Sequence, residues 1–133
     1  MFSHAYYKDL FQQLLNREEL AYETTSSLIE VALPARQTAA VQTQVYLREK
    51  LLTFHCPCVL ELRAEQEQLI FSVLNDLNCN YPDIKFTYSA GNVQMTLQTF
   101  ILKDRMVCQC LLALKRLTDV VDKVYPQIRY ILK

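Results

Sequence analysis

The sequence holds one glycine, no tryptophan and no excess of either charge: 14 Lys and Arg are matched by 14 Asp and Glu over 133 residues. A single glycine cannot build the Gly-rich loop that cradles phosphates, nor a Gly-x-Ser-x-Gly nucleophile elbow. Balanced charge without a Lys/Arg stripe argues against a nucleic-acid footprint, and against a surface recruited to membranes by charge. No run approaches the roughly 18 apolar residues of a membrane-spanning helix. The first residues, Met1 to Ala5, lack the basic flank and apolar core of a signal peptide. Five cysteines, an odd number, favour free thiols over a disulfide framework. The expectation is a cytoplasmic protein, one domain over residues 1–133, with no cofactor, no membrane and no nucleic acid among its partners.

About half of the residues are apolar, enough for one core. Tyr6, Tyr7, Leu10, Phe11, Leu14 and Leu15 recur four apart and predict a helix from about Ser3, its N-cap, to Asn16. Leu20–Thr25 reads as a connector or a ragged first strand. Leu28–Leu33 and Val41–Arg48 alternate as strands, and Pro34 ends or bends the first. After the charged turn Arg48-Glu49-Lys50, Leu52, Phe54 and Cys56 continue the alternation into a strand that stops near Pro57. Connections this short imply antiparallel neighbours.

The second half is the more sharply patterned. A helix from Glu65 to Leu77 carries Leu69, Ile70, Val73, Leu74 and Leu77 on one side, and Asn80-Tyr81-Pro82 breaks it. Strands Ile84–Ser89 and Val93–Leu102 hinge on Ala90-Gly91-Asn92, where the only glycine supplies a positive φ. A last helix follows Asp104, its expected N-cap. Its stripe is Val107, Cys110, Leu111, Leu114, Leu117, Val121 and Val124. Pro126 should kink or restart it, with Ile128, Tyr130 and Ile131 packing beyond. The predicted class is α+β: a single antiparallel sheet of about five strands with helices packed on one face, in the order α-β-β-β-α-β-β-α.

That order resembles the type III secretion chaperone-like fold, and within it the YbjN-like family, often labelled sensory-transduction regulators. The resemblance is carried by Val73-Leu74-Asn75-Asp76-Leu77-Asn78, by Tyr81-Pro82, by the hairpin exit Gly91-Asn92-Val93-Gln94-Met95 and by Val121-Asp122-Lys123-Val124-Tyr125-Pro126. The element order covers nearly the whole chain, and the residue-level likeness only its second half. These are turns, caps and core positions. What the resemblance implies is therefore a fold and a non-enzymatic role: a chaperone-like or regulatory module that binds another protein and forms a homodimer.

Chemistry has few places to reside. His55-Cys56-Pro57-Cys58 and Cys108-Gln109-Cys110 contain enough soft ligands for zinc, and a thiol-based metal or redox protein using Cys56, Cys58, Cys108 and Cys110 is the alternative reading. The spacing opposes it. Residues two apart on a helix diverge by about 200°, and zinc pairs are spaced Cys-x₂₋₄-Cys. His55 adjoins Cys56, so on a strand the two point to opposite faces. Glu18-Glu19 and the Glu65/Glu67 pair lie in polar stretches that offer no burial to raise a pKa. A small-molecule sensor, with a pocket between the last helix and the sheet, is a further alternative.

The sheet gives the sharper signal. If Val41, Val45, Val93, Met95 and Leu97 face the helices, the other face holds Gln42, Gln44, Tyr46, Gln94, Thr96, Gln98 and Phe100, with no Lys and no Glu. Depletion of Lys and Glu beside Tyr and Phe marks protein contact surfaces, and these seven are the candidate partner or dimer contacts. An ordinary solvated face rich in β-formers has the same look. Strand order decides whether the two rows adjoin.

Overall fold

In the computed structural model, residues 4–25, 28–36, 40–102 and 104–131 are described, with backbone alone at 4, 5 and 131. The elements are α1 (His4–Arg17), β1 (Tyr22–Thr24), β2 (Ile29–Leu33), β3 (Val41–Arg48), β4 (Leu51–Glu61), α2 (Glu67–Asn80), β5 (Ile84–Ser89), β6 (Asn92–Phe100) and α3 (Met106–Ile131). One antiparallel sheet of six strands runs in the order β1-β2-β3-β4-β6-β5. The strand beyond the expected five is the ragged segment after α1. Tyr22–Thr24 pairs with Ile29–Val31, and the Tyr22 hydroxyl donates to Asn16 Oδ1 at 3.0 Å.

The period-2 pattern sorts the residues. Ile29, Val31 and Leu33, then Val41 and Val45, then Leu52, Phe54 and Cys56, then Val93, Met95 and Leu97, are all buried beneath the helices. Phe11 of α1 meets Phe54 edge-on at 6.3 Å. The buried stripe of α3 is Met106, Cys110, Ala113, Leu114, Leu117, Val120, Val121, Val124 and Ile128, about every third or fourth residue. Among the described residues Thr43 is the one polar residue buried on this side, and its hydroxyl lies 3.2 Å from Cys56 Sγ.

Several boundaries differ from the sequence reading. β4 does not stop near Pro57. It runs on to Glu61, with a register shift between Cys56 and Leu60, so proline sits at an irregularity where its missing N–H costs no ladder bond. β3 pairs with β4 only as far as His55, so no β3 carbonyl needs a donor from Pro57. Leu69 is exposed; Ile70, Val73, Leu74 and Leu77 form the buried stripe of α2 without it. Tyr130 is likewise exposed, and α3 continues through Pro126 instead of restarting there. The first helical bond of α3 runs from Gln109 N to Arg105 O, so Arg105 rather than Asp104 holds the cap position. The proposed cap Ser3 lies outside the described residues.

Tight turns set the strand order. Ser89 pairs with Asn92 across Ala90-Gly91, with φ of 52° and 82°. Positive φ at both central residues is the signature of a type I′ hairpin. Arg48 pairs with Leu51 across Glu49-Lys50, with Glu49 at φ 57°. At the far end, Gln109 accepts from Leu102 N at 2.9 Å and donates to Phe100 O at 2.8 Å, fastening the exit of β6 to the first turn of α3.

Candidate functional site

The helices cover one face of the sheet and leave the other open, and the register shows what the open face holds. Glu23, Glu30, Gln44, His55, Thr96 and Lys85 stand in one line across all six strands. A second line runs Tyr46, Thr53, Gln98, and a third Arg48, Leu51, Phe100. Gln42 lies opposite Ala32, and Gln94 opposite Thr87. All seven residues singled out in the sequence therefore share this face. The rows on β3 and β6 do not touch directly, because β4 lies between them.

Thr53 and His55 are the bridge. His55 Nδ1 lies 2.8 Å from Thr96 Oγ1, and Gln98 Nε2 donates to Thr53 Oγ1 at 3.2 Å. Thr53 is only 2% exposed although it lies on the outward face of the sheet, between Tyr46 and Gln98. Burial pushes the His55 imidazole below its ordinary pKa, which favours the neutral ring. A stop near Pro57 would put His55 at a strand end; β4 instead carries it in mid-strand, paired with both Gln44 and Thr96. The alternation of Leu52, Phe54 and Cys56 already implied that residues 53 and 55 face outward.

Among the described residues charge returns only at the margins: Glu23 and Glu30 on the β1–β2 side, Lys85 on β5, Arg48 at one corner and Glu61, opposite Asn92, at the end of β4. Phe100, 70% exposed, ends the β6 row. Beside β5 a shallow open groove separates the Pro82-Asp83 turn from Lys85, Thr87, Thr96 and Gln98. It lies on the open face, whereas the sensor reading placed a pocket between the last helix and the sheet. Asp83 in this turn is held by Arg116 of α3 through bonds of 2.9 and 3.1 Å, and Arg116 sits 5.6 Å from the centre of the Tyr81 ring.

The thiols do not converge. Cys56 and Cys110 are buried, while Cys58, Cys79 and Cys108 are exposed. Burial pushes the Cys56 thiol up to about 11 and the Cys110 thiol up to about 12. Among the described residues no three His, Cys, Asp or Glu side chains are placed to hold a metal ion. Among the same residues no helix is long and apolar enough to cross a membrane.

By sequence, no family model and no curated protein matches this chain. By structure, the chain is similar to YbjN from E. coli, described as a proposed transcription regulator, with a TM-score of 0.65 at 10% identity over 90% of this chain and 92% of that one. It is also similar to a chain of the ExsC–ExsE complex, with a TM-score of 0.57 at 18% identity over 97% of this chain and 96% of that one. At these identities the likeness is one of fold. The chain has the YbjN-like, type III secretion chaperone-like architecture that its element order resembles.

Proposed function

We propose that this chain is a non-enzymatic protein-binding module, chaperone-like or regulatory, and that it binds through the open face of its sheet. The observation that carries the reading is the continuity of that face. Gln42, Gln44 and Tyr46 are joined through Thr53 and His55 to Gln94, Thr96, Gln98 and Phe100, with charges confined to the rim. A neutral centre carrying Tyr and Phe inside a charged rim is the anatomy of a protein contact surface. The similarity to a proposed regulator and to a member of a two-protein complex supports a binding role of this kind. No residue has a catalytic part in it.

The test is a comparison of capture from a host lysate by the wild-type chain and by Tyr46→Asp and Phe100→Asp. Both sites face outward, so both variants should fold. The expected result is a defined set of proteins retained by the wild type and lost by both variants. Identical sets for all three chains would remove the open face from the reading.

A further inference from the structure

Resting on the reading of the open face as a contact surface, we propose that its occupant is a different protein whose contact strip is charged in the opposite sense: a Lys or Arg between Glu23 and Glu30, an uncharged middle, and an Asp or Glu over Lys85. Glu23 and Glu30 stand directly opposite each other on β1 and β2, at one end of the line that crosses all six strands. Like charges in that position repel, so the pair costs the free chain stability. Among the described residues the ion pairs join Arg17 to Glu18, Arg63 to Glu65 and Arg116 to Asp83, and Glu23, Glu30 and Lys85 belong to none of them. A partner's Lys or Arg set between the two carboxylates replaces one repulsion by two charge-assisted bonds.

Lys85 is the opposite case at the other end of the line. Asp83, two residues before it, is already engaged by Arg116. The groove beside Lys85 is also lined by Thr87, whose hydroxyl can donate to a carboxylate seated there. Between the ends Gln44 and Thr96 carry no charge, and burial favours the neutral ring of His55. The bonds of His55 with Thr96 and of Gln98 with Thr53 are already made, so covering this middle strands fewer polar groups. Strands about 4.8 Å apart put Lys85 roughly 19 Å from Glu30 and roughly 24 Å from Glu23, which fixes the spacing of the partner's two charges. Arg48 and Glu61 lie off this line, at the ends of their strands. A polyanion is repelled at the β1–β2 side, and a uniformly basic surface is repelled at Lys85, so the layout selects a partner of mixed sign.

The probe is the set of host-lysate proteins that the wild-type chain retains and that Tyr46→Asp and Phe100→Asp lose. Raising salt from about 50 mM to about 500 mM should release this set. K85E should lower the retained amount by about tenfold or more, whereas K115E, the same change of charge at an exposed position of α3, should leave it within about twofold. A carbodiimide, which couples carboxylates to amines in contact, should link Lys85 to an Asp or Glu of the partner. E30Q should act in two directions at once, raising the unfolding midpoint of the free chain and lowering retention by about threefold or more. Retention indifferent to salt, equal losses for K85E and K115E, or an E30Q chain that unfolds earlier or retains the set in full overturns the proposal. Self-association abolished by K85E would place a second copy on the face and overturn it as well. The contact-surface reading falls separately, when Tyr46→Asp and Phe100→Asp retain the same proteins as the wild type.

Discussion

Asn78, two residues before the end of α2, holds the outer edge of β5 through a single residue. Its Nδ2 donates to Phe86 O at 3.0 Å, and Phe86 N donates to its Oδ1 at 2.8 Å. One carboxamide thus takes the place that a peptide group of a seventh strand would take. Tyr81 O accepts from Ile84 N at 3.0 Å one step earlier on the same edge. The end of α2 therefore both terminates the helix and seals the sheet.

Replacing Asn78 separates these roles. Asn78→Ala removes both bonds and should cost about 1–3 kcal/mol, read from urea unfolding. Asn78→Asp keeps an acceptor for Phe86 N but loses the donor to Phe86 O, and should fall between. In the wild type the Phe86 amide should exchange slowly with solvent although it lies on an edge strand. Fast exchange at Phe86 would show that the seal does not hold in solution.

The β5–β6 turn is open to improvement. Ala90 has φ 52°, a region where a non-glycine residue costs roughly 1–2 kcal/mol and where asparagine is tolerated best. Ala90→Asn should raise the unfolding midpoint. Gly91→Ala should lower stability by about 1 kcal/mol for backbone reasons alone. A Cβ there would meet only Leu62 O at 3.9 Å, so no clash adds to the cost. Thermal unfolding of the two variants should move in opposite directions.

The buried thiols make the fold sensitive to alkali. Cys56 and Cys110 stay protonated in the folded chain up to about 11 and about 12, from an ordinary value near 9. Above pH 9 the unfolded chain loses these protons first. The stabilisation is therefore complete below that pH and is lost progressively towards pH 12, on the order of 3 kcal/mol for Cys56 and on the order of 4 kcal/mol for Cys110. Cys110→Ala should start less stable, because it leaves a cavity, yet decline less steeply with pH. At neutral pH a thiol reagent should modify Cys79 and Cys108 quickly, Cys58 more slowly because burial and the Glu61 carboxylate push its thiol up, and the other two only as the fold opens.

The Asp83–Arg116 pair should matter little. The Arg116 guanidinium holds the Asp83 carboxyl below its usual value, so its contribution is present above the ordinary carboxylate range and fades as pH falls through the lowered pKa. Both side chains are more than 40% exposed, so Asp83→Asn should cost less than about 1 kcal/mol in guanidinium unfolding.

The elements that depend on side-chain period were legible in the sequence. Strict alternation placed β3 and β5, and β6 apart from Ile101 and Leu102, which lie beyond its end at Phe100; the stripe from Cys110 to Val124 gave α3. What escaped depends on partners far along the chain. Proline ends most strands, yet here β3 leaves β4 before reaching Pro57 and β6 shifts register past it. Leu69 fits the helical stripe of α2, but it falls at the rim, where no sheet residue covers it. Tyr22–Thr24 is too short and polar to announce itself, and becomes a strand because β2 offers it an edge. The candidate face was half legible. Its seven outward residues follow from alternation, whereas their joining through Thr53 and His55 follows from β4 being inserted between β3 and β6.

That insertion also governs how the chain can assemble itself. The β3–β4 and β5–β6 hairpins each close across two residues, at 49–50 and 90–91, and can form locally. The β4–β6 pairing that unites them joins residues roughly 30 to 50 apart, with all of α2 in the intervening loop, and bears its closure entropy before any contact repays it. The two hairpins should therefore precede the seam. In a chevron analysis, Leu60→Ala, opposite Val93 on the seam and beyond the β3–β4 pairing, should lower stability mainly by hastening unfolding, whereas Ala90→Asn should act mainly on the refolding rate. A large effect of Leu60→Ala on refolding would place the seam in the nucleus instead.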